Sequence, residues 1–252
     1  MIAPSLIALL ALAAFVAGLV DAIAGGGGLV TVPALLAAGL PPHVALATNK
    51  GQACFGAVSS FLSFLKHDGI DRRRAPIGFL FGLLGSLVGA RVVLLVRPEP
   101  LKPIVLVLLL VAAAFVLWPR RAAPPTPHAP SRLLLVPIAF TLGFYDGFFG
   151  PGTGTILLVA FVVVFGDSLT RASGNAKVVN LASNLAAVAI FMWRGTIVWS
   201  IAIPMAAANA AGAFVGARLA VKRGDRFIKP LLVLVVLALL LKVARDLFVA
   251  RG

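Results

Sequence analysis

Long apolar runs separated by short breaks make up most of this chain. The first run, Pro4–Ala24, has no charged residue before Asp21 and is followed by four consecutive glycines at residues 25–28. Since a glycine inside a helix costs about 1 kcal/mol relative to alanine, we predict that the helix breaks at these glycines. Residues 29–39 are apolar again and end at two prolines. They predict a half-helix of about 16 Å, roughly half of a bilayer core.

Three longer helices are predicted to follow the half-helix. Residues 75–96 have glycines at helical spacing, which suits close packing between helices in lipid, and residues 101–118 form a plain apolar span. The segment 119–131 contains five prolines and two arginines, and we interpret it as a linker between two halves. The helix at residues 43–65 is unusually polar, and its polar side chains are Thr48, Asn49, Lys50, Gln52, Ser59, Ser60 and Ser63.

The order of features before the linker returns after it. The tripeptide Gly-Ala-Arg occurs at residues 89–91 and again at residues 216–218, which are 127 positions apart. Self-similarity of this kind indicates an internal duplication. The other matching features are Asp21 with Asp146, the glycine tract 25–28 with residues 150–154, and Lys50 with Lys177.

We therefore predict an all-α polytopic membrane protein with two homologous repeats, residues 1–118 and residues 132–252, joined by the proline-rich linker 119–131. Each repeat has a helix and half-helix hairpin broken at glycines, plus about three spanning helices. If the hairpin enters and leaves on one side, each repeat crosses the membrane an odd number of times and the repeats are inverted. The basic segments 66–74 and 222–229 then share the cytoplasmic side, whereas parallel repeats would export the second segment.

Composition supports this class and excludes several others. Hydrophobic residues make up 61% of the 252 positions, charged residues only 12%, and the mean hydropathy is +1.07. Most basic residues behind the net charge of +14 lie at the ends of apolar runs, so we expect no nucleic-acid partner. The acids, histidines and single cysteine have no metal-ligand or catalytic spacing, so we expect no metal, no cofactor and no enzymatic activity. The expected location is the cell (inner) membrane, with many crossings.

The two glycine tips are candidate anion sites. A half-helix that starts at such a tip has free backbone N–H groups and a positive dipole end inside the membrane. Irregular backbone at that depth is tolerated only where protein buries it or a cavity lies beside it. Asp21 and Asp146 precede the tips, and each could hold a proton, pair with a lysine or accept N–H bonds from the turn. The tip residues predicted to bind substrate are Gly26, Gly27, Gly28, Gly152, Thr153 and Gly154.

Two lysines lie inside the polar helices at matching positions. Lys50 and Lys177 are each about seven residues from the start of their helices, and a lysine at that depth indicates function unless its stem snorkels to the interface. Lys177 shares a helix face with Ser173, Asn180 and Asn184, whereas Lys50 lies beside its polar stripe. We therefore expect Lys177 to contribute more to binding. The helix residues predicted to bind substrate are Thr48, Asn49, Lys50, Gln52, Asn175, Lys177, Asn180 and Asn184.

Three motifs together resemble a known family. They are Gly-x-x-Asp-x-x-x-Gly-Gly-Gly-Gly at residues 18–28, Thr-Asn-Lys at residues 48–50, and the duplicated Gly-Ala-Arg. Their combination resembles the TauE/SafE family of sulfite exporters and organosulfonate permeases over nearly the whole chain. The resemblance implies transport of a small sulfur-containing or related organic anion, such as sulfite, thiosulfate, sulfoacetate or a taurine-derived sulfonate.

The function predicted from these features is secondary transport of a small anion across the lipid bilayer. The anion would bind near the midplane between the half-helix N-termini and the lysine-bearing helices. One alternative is an anion channel that uses the same site, and another is a scaffold for other membrane proteins, which would not need paired breaks and matched polar helices. The chain has no nucleotide-binding motif, so transport would be coupled to protons or to the membrane potential.

Overall fold

The computed structural model describes residues 3–117 and 132–223, and all regular secondary structure in these residues is helical. The linker 119–131 and residues 224–252, which include most of the basic segment 222–229, lie outside the described residues. A 3₁₀ turn at Arg132–Leu134 precedes the sixth helix. The α-helices are α1 (Pro4–Ala24), α2 (Gly28–Ala37), α3 (Pro42–Lys66), α4 (Ala75–Leu95), α5 (Pro98–Leu117), α6 (Leu135–Phe148), α7 (Thr153–Phe165), α8 (Leu169–Trp193) and α9 (Trp199–Arg223).

Five of the described helices, α1, α4, α5, α8 and α9, are long and apolar enough to cross a membrane. The helix α3 has 25 residues and a more polar sequence. The remaining helices, α2, α6 and α7, are apolar and have 10, 14 and 13 residues. This pattern confirms the predicted all-α class with several membrane spans.

Both predicted glycine breaks are present. The chain leaves α1 through Gly25 and Gly26, with φ of +76° and +95°, and leaves α6 through Gly150 and Gly152, with φ of +98° and +84°. Residues with a side chain rarely adopt these left-handed conformations, so glycine allows the sharp turn between helix and half-helix. The turns produce two hairpins, α1–α2 and α6–α7.

The two hairpin tips contact each other inside the bundle. A side chain on Gly25 would overlap the backbone of Gly154 and Thr155, and a Cβ atom on Gly28 would lie 3.0 Å from Cα of Pro151. The Thr155 hydroxyl donates a hydrogen bond of 2.9 Å to the carbonyl of Ala24. The tips therefore form one packed unit.

Each hairpin also packs through its long helix on a helix from the other part of the chain. The helix α1 packs on α9, and α6 packs on α4. Glycines on α4 and α9 let the backbones approach so closely that a Cβ atom would overlap a carbonyl oxygen of the neighbour. The contacts are Gly85 with Phe140, Gly89 with Phe144, Gly212 with Phe15 and Gly216 with Leu19.

The central helices α3 and α8 run in opposite directions. Near the start of α3, the Thr48 hydroxyl accepts a hydrogen bond of 3.1 Å from the backbone N–H of Val198, which follows the end of α8. Near the start of α8, the Asn175 side chain accepts a bond of 2.8 Å from the backbone N–H of Asp71, which follows the end of α3. The start of each polar helix therefore lies beside the end of the other.

Candidate functional site

A polar cleft lies where the two hairpins meet α3, α8 and α9. Its wall combines the glycine tips with charged and amide side chains, which is an unusual composition inside an apolar bundle. The lining residues are Asp21, Gly27, Gly28, Asn49, Lys50, Gln52, Ala53, Asp146, Gly150, Asn180, Asn184 and Asn209.

A buried ion pair between Lys50 and Asp146 lies in the wall of the cleft. The Nζ and Oδ1 atoms are 2.8 Å apart, and the side chains are only 3% and 2% exposed. Asp146 also accepts hydrogen bonds from the hydroxyl of Ser183 and, at 3.4 Å, from the amide of Asn180. A Cβ atom at Gly150 would lie 3.0 Å from the lysine nitrogen, so the glycine leaves room for the ammonium group. Lys50 does not snorkel to the interface but is held inside the protein.

A second ion pair joins Lys177 to Asp21. The Nζ and Oδ2 atoms are 2.6 Å apart, and Lys177 also donates to the backbone carbonyl of Asp21. The other carboxylate oxygen of Asp21 accepts from the backbone N–H of Gly27 at 3.2 Å. Asp21 thus pairs with a lysine and also accepts an N–H bond from the turn. Each lysine pairs with the acid of the hairpin that lies in the other half of the sequence.

Amide side chains form the rest of the polar wall. Gln52 donates to the Asn49 side chain at 3.0 Å, and Thr31 donates to the same oxygen of Asn49 at 2.5 Å. Within the described residues, the oxygens Gln52 Oε1 and Asn184 Oδ1 are buried and have no hydrogen-bond partner. Leaving such a group unpaired costs about 1–3 kcal/mol, so these atoms favour a cleft that holds water or a polar ligand.

The structure brings together many of the residues predicted from the sequence. The cleft contains Asp21, Gly27, Gly28, Asn49, Lys50, Gln52, Asp146, Asn180 and Asn184. The N–H of Gly27 already bonds to Asp21, so the Gly27 N–H is not free for a ligand.

The other predicted residues lie outside the cleft and have structural contacts. Thr48 and Asn175 bind backbone N–H groups of the interhelical loops, and Lys177 lies behind Asp21. The sequence predicts the larger contribution to binding for Lys177, whereas Lys50 and not Lys177 lies in the wall of the cleft. The tip residues outside the cleft are Gly26, which is near Thr155; Gly152, which is near Ala112; Thr153, which donates to the carbonyl of Gly150; and Gly154, which packs on Gly25.

Three cleft residues were not among the predicted binding residues. Asn209 donates to the carbonyl of Ala14 at 3.0 Å, and its oxygen lies against Gly56. An asparagine in the middle of an apolar helix was the available signal, but an interhelical hydrogen bond accounts for it equally well. Ala53 carries no polar side chain and gives no signal of a site, whereas Gly150 belongs to the second glycine tip at residues 150–154.

Comparison with known proteins identifies the family. The family model described as sulfite exporter TauE/SafE matches residues 10–243. The chain belongs to the TauE/SafE family. A "probable membrane transporter protein" of Haemophilus influenzae is 38% identical over 243 residues, which is 96% of this chain and 95% of the relative.

Other TauE/SafE relatives carry similar names. One from Sinorhizobium sp is 37% identical and covers 96% of this chain and 93% of the relative. YfcA of Escherichia coli K12 is 35% identical and covers 93% of this chain and 88% of the relative. No solved structure matches the chain. This TauE/SafE protein is therefore a multi-pass membrane transporter and not an enzyme.

The TauE/SafE chain also has a charged network at the end of the bundle where α3 and α7 end. Arg74 donates to Asp71 at 2.7 Å and to Asp167 at 2.6 Å, and Asn175 donates to the other Asp167 oxygen at 2.7 Å. The guanidinium group lies over the rings of Phe161 and Phe165. The network ties the α3–α4 loop to the α7–α8 loop.

The surroundings of Asp71 in this network lower its pKa. Partial burial raises the pKa of Asp71, but the hydrogen bonds and charge of Arg74 and the N–H of Arg73 outweigh burial and hold that pKa below its usual value. A lowered carboxyl pKa stabilises the fold above the unfolded pKa, and that contribution is lost as the pH falls through the folded pKa. We therefore expect the Asp71 contribution to remain intact from about pH 5 upward.

Proposed function

We propose that this protein is a secondary transporter of a small sulfur-containing oxyanion, such as sulfite, thiosulfate or a sulfonate, and that the anion binds to Lys50 in the cleft. The observation that carries the proposal is a buried ammonium group in the wall of a polar cleft beside a helix N-terminus. Charged side chains inside a membrane protein are expensive and usually serve a function. An oxyanion could replace Asp146 as the partner of Lys50.

The first glycine tip supplies a second attraction for an anion. The helix α2 begins at Gly28, which lies in the wall of the cleft, and the positive end of the helix dipole favours negative charge there. The amides of Asn180 and Asn184 lie on the opposite helix α8. The amide nitrogen of Asn180 donates to Asp146 at 3.4 Å and that of Asn184 to the carbonyl of Asn180 at 2.7 Å, so Lys50 and the start of α2 are the main attractions for an oxyanion.

We further propose that the halves are inverted repeats that move relative to each other. The opposite directions of α3 and α8 support inversion. The packing of α1 on α9 also matches the packing of α6 on α4. Gly85 contacts Phe140 and Gly212 contacts Phe15. The two glycines are 127 residues apart and the two phenylalanines 125 apart, which are the spacings of the sequence duplication. Rocking of two inverted repeats around a shared site is a common mechanism of alternating access.

Transport by purified protein in liposomes tests the proposal. Accumulation of labelled sulfite or a sulfonate against its gradient, driven by an imposed proton gradient or membrane potential, supports a secondary transporter. Uptake that only equilibrates the anion, with a current that does not saturate as the anion concentration rises, would favour the alternative of an anion channel. No flux of any oxyanion with folded protein would exclude both.

The proposed orientation places the α3–α4 loop in the cytoplasm. This loop is basic, and Ala220 near the end of α9 packs in one apolar cluster with Phe64 and Ile70 beside it. The start of α5 is at the other end of the bundle, because His43 at the start of α3 bonds to the carbonyl of Val96. Basic loops are retained in the cytoplasm, which supports this orientation.

Cysteine labelling in intact cells checks this orientation. We expect Arg73→Cys and Lys222→Cys to resist a membrane-impermeant maleimide added outside, whereas Glu99→Cys is labelled. All three positions are exposed, and the native Cys54 is buried, so the background is low. Labelling of Arg73→Cys but not of Lys222→Cys would contradict the inverted arrangement.

The network around Arg74 is expected to hold one end of the transporter closed. Arg74→Gln removes charge-assisted bonds between two loops, each worth about 1.5–3 kcal/mol. We expect maleimide labelling of an Ala53→Cys reporter in the cleft to become at least about tenfold faster when the reagent is added on the side of the membrane that the Arg74 network faces. Arg72→Gln is the matched control, because its ion pair with Asp68 is exposed and contributes little. Equal labelling rates in both variants would show that the network does not control access.

A further inference from the structure

We propose that Asp146 is a proton-binding site and that one proton enters it for each anion bound at Lys50. This inference rests on the proposed function, because it concerns the ion that accompanies the anion in the same cleft. The inference goes beyond the proposed function because it assigns the coupling of proton and anion to one carboxylate, that of Asp146.

The charges in and beside the cleft already cancel. Lys50 is paired with Asp146, and Lys177 is paired with Asp21, so the four groups sum to zero. An anion that enters alone would leave one excess negative charge in a buried site, which is strongly unfavourable. A proton that enters with a monoanion restores neutrality. The anion then becomes the partner of Lys50, and the carboxyl group that loses this partner is Asp146.

The surroundings of Asp146 suit both protonation states. When the carboxylate is ionised, the hydroxyl of Ser183 donates to it. The same hydroxyl oxygen lies 2.9 Å from the carbonyl of Asn180, so its hydrogen can turn to that carbonyl instead. The oxygen of Ser183 is then free to accept a hydrogen bond from protonated Asp146. A single hydroxyl rotation therefore satisfies the carboxyl group with or without its proton.

Asp21 keeps its partners when an anion enters the cleft. Its carboxylate accepts a bond from the N–H of Gly27 as well as from Lys177. Lys177 does not line the cleft, so an anion there does not displace Asp21 from its partner. The two acids at matching sequence positions thus have different roles.

Few other titratable groups face Asp146. From α3 the facing charge is Lys50, and from α1 the nearest acid is Asp21 with its partner Lys177 of α8. On α6 itself the neighbour is Tyr145, whose hydroxyl donates to the carbonyl of Pro151. The described parts of α2, α7 and α9 place no titratable side chain in the cleft wall, and Arg91 of α4 and Glu99 of α5 are exposed.

Calorimetry on purified protein tests this inference with methanesulfonate, which stays a monoanion and therefore takes up no proton itself. Titration in two buffers with different ionisation enthalpies gives the number of protons taken up for each anion bound. We expect a value near one at about pH 8, with affinity that falls up to about tenfold for each further unit of pH. Binding with the same observed enthalpy in both buffers would mean that no proton is taken up. That result would overturn the inference but keep the proposed function. The absence of any binding would overturn both.

Two variants locate the proton. Asp146→Asn should bind methanesulfonate with no proton uptake and with an affinity independent of pH. At about pH 8 it should bind more tightly than the parent, because Lys50 has no carboxylate to release. Asp21→Asn should still take up one proton for each anion bound. Proton uptake that persists in Asp146→Asn, or that disappears only in Asp21→Asn, would contradict the assignment.

Infrared difference spectroscopy on the parent protein makes the test independent of any variant. Addition of methanesulfonate should produce the carbonyl stretch of a protonated carboxylic acid in a buried site. A spectrum with no new carboxylic acid band, recorded at saturating ligand, would overturn the inference even if Asp146→Asn fails to fold.

Discussion

Replacement of Lys50 by glutamine is expected to abolish the binding of sulfite and sulfonates, lowering affinity by at least about a hundredfold, or roughly 2.7 kcal/mol. Lys50 supplies the only ammonium group in the cleft wall of the described structure, and glutamine keeps a similar size without the charge. The variant should also melt at a lower temperature. Loss of one member of a buried ion pair costs about 3–5 kcal/mol, because the other charge stays behind unpaired.

The matched control is Lys177→Gln. It also removes a buried lysine and leaves an acid without its partner, so it should destabilise the protein to a comparable degree. Its affinity for the anion should fall less than that of Lys50→Gln, since Lys177 lies outside the cleft and its loss acts on the anion only through the charge of Asp21. Calorimetry and thermal unfolding on the same preparations separate the two effects. Parental affinity in Lys50→Gln, or a larger loss of affinity in Lys177→Gln, would indicate that the anion binds beside Lys177 on α8, as the polar stripe predicted.

Gly25→Ala is expected to prevent the hairpin tips from packing, with loss of most folded and transport-competent protein. The new methyl group would overlap the backbone of Gly154 and Thr155, which cannot move without separating the tips. Overpacking of this kind costs about 1–3 kcal/mol, and the left-handed backbone at Gly25 adds a further 1–3 kcal/mol, roughly. The measurements are yield, melting temperature and transport.

Gly39→Ala separates these two contributions. Gly39 has a similar φ of +87°, but nothing lies within 4 Å of the position where its Cβ would be. This variant should therefore suffer the backbone strain alone and remain active, with a lower melting temperature. If Gly25→Ala and Gly39→Ala are equally stable and active, contact between the tips does not hold the hairpins together.

The helices and their breaks were predictable because the causes are local. Four consecutive glycines cannot continue a helix, and the two prolines after residue 39 stop the half-helix, so both bounds of α2 follow from the sequence within two residues. The pairing of Lys50 with a buried acid was also predictable in kind, since a lysine deep in a membrane helix needs a partner.

The partners of these residues were not predictable because they are set by contacts between the halves. Asp146 meets Lys50, and Asp21 meets Lys177, only because the hairpins pack together at their tips. Helical periodicity predicts which face of a helix carries a residue, but it does not predict which other element packs against that face. The face of α8 that carries Lys177 meets Asp21, and Asn175 contacts a loop rather than the cleft.

Anomalous diffraction from crystals soaked with 2-bromoethanesulfonate tests the central claim most directly, because it locates the anion without any variant. We predict a bromine peak in the cleft, with the sulfonate group in hydrogen-bonding distance of the Lys50 ammonium and beside Gly28 and Asn184. A well-occupied bromine peak at another position in the bundle, with an empty cleft, would contradict the account.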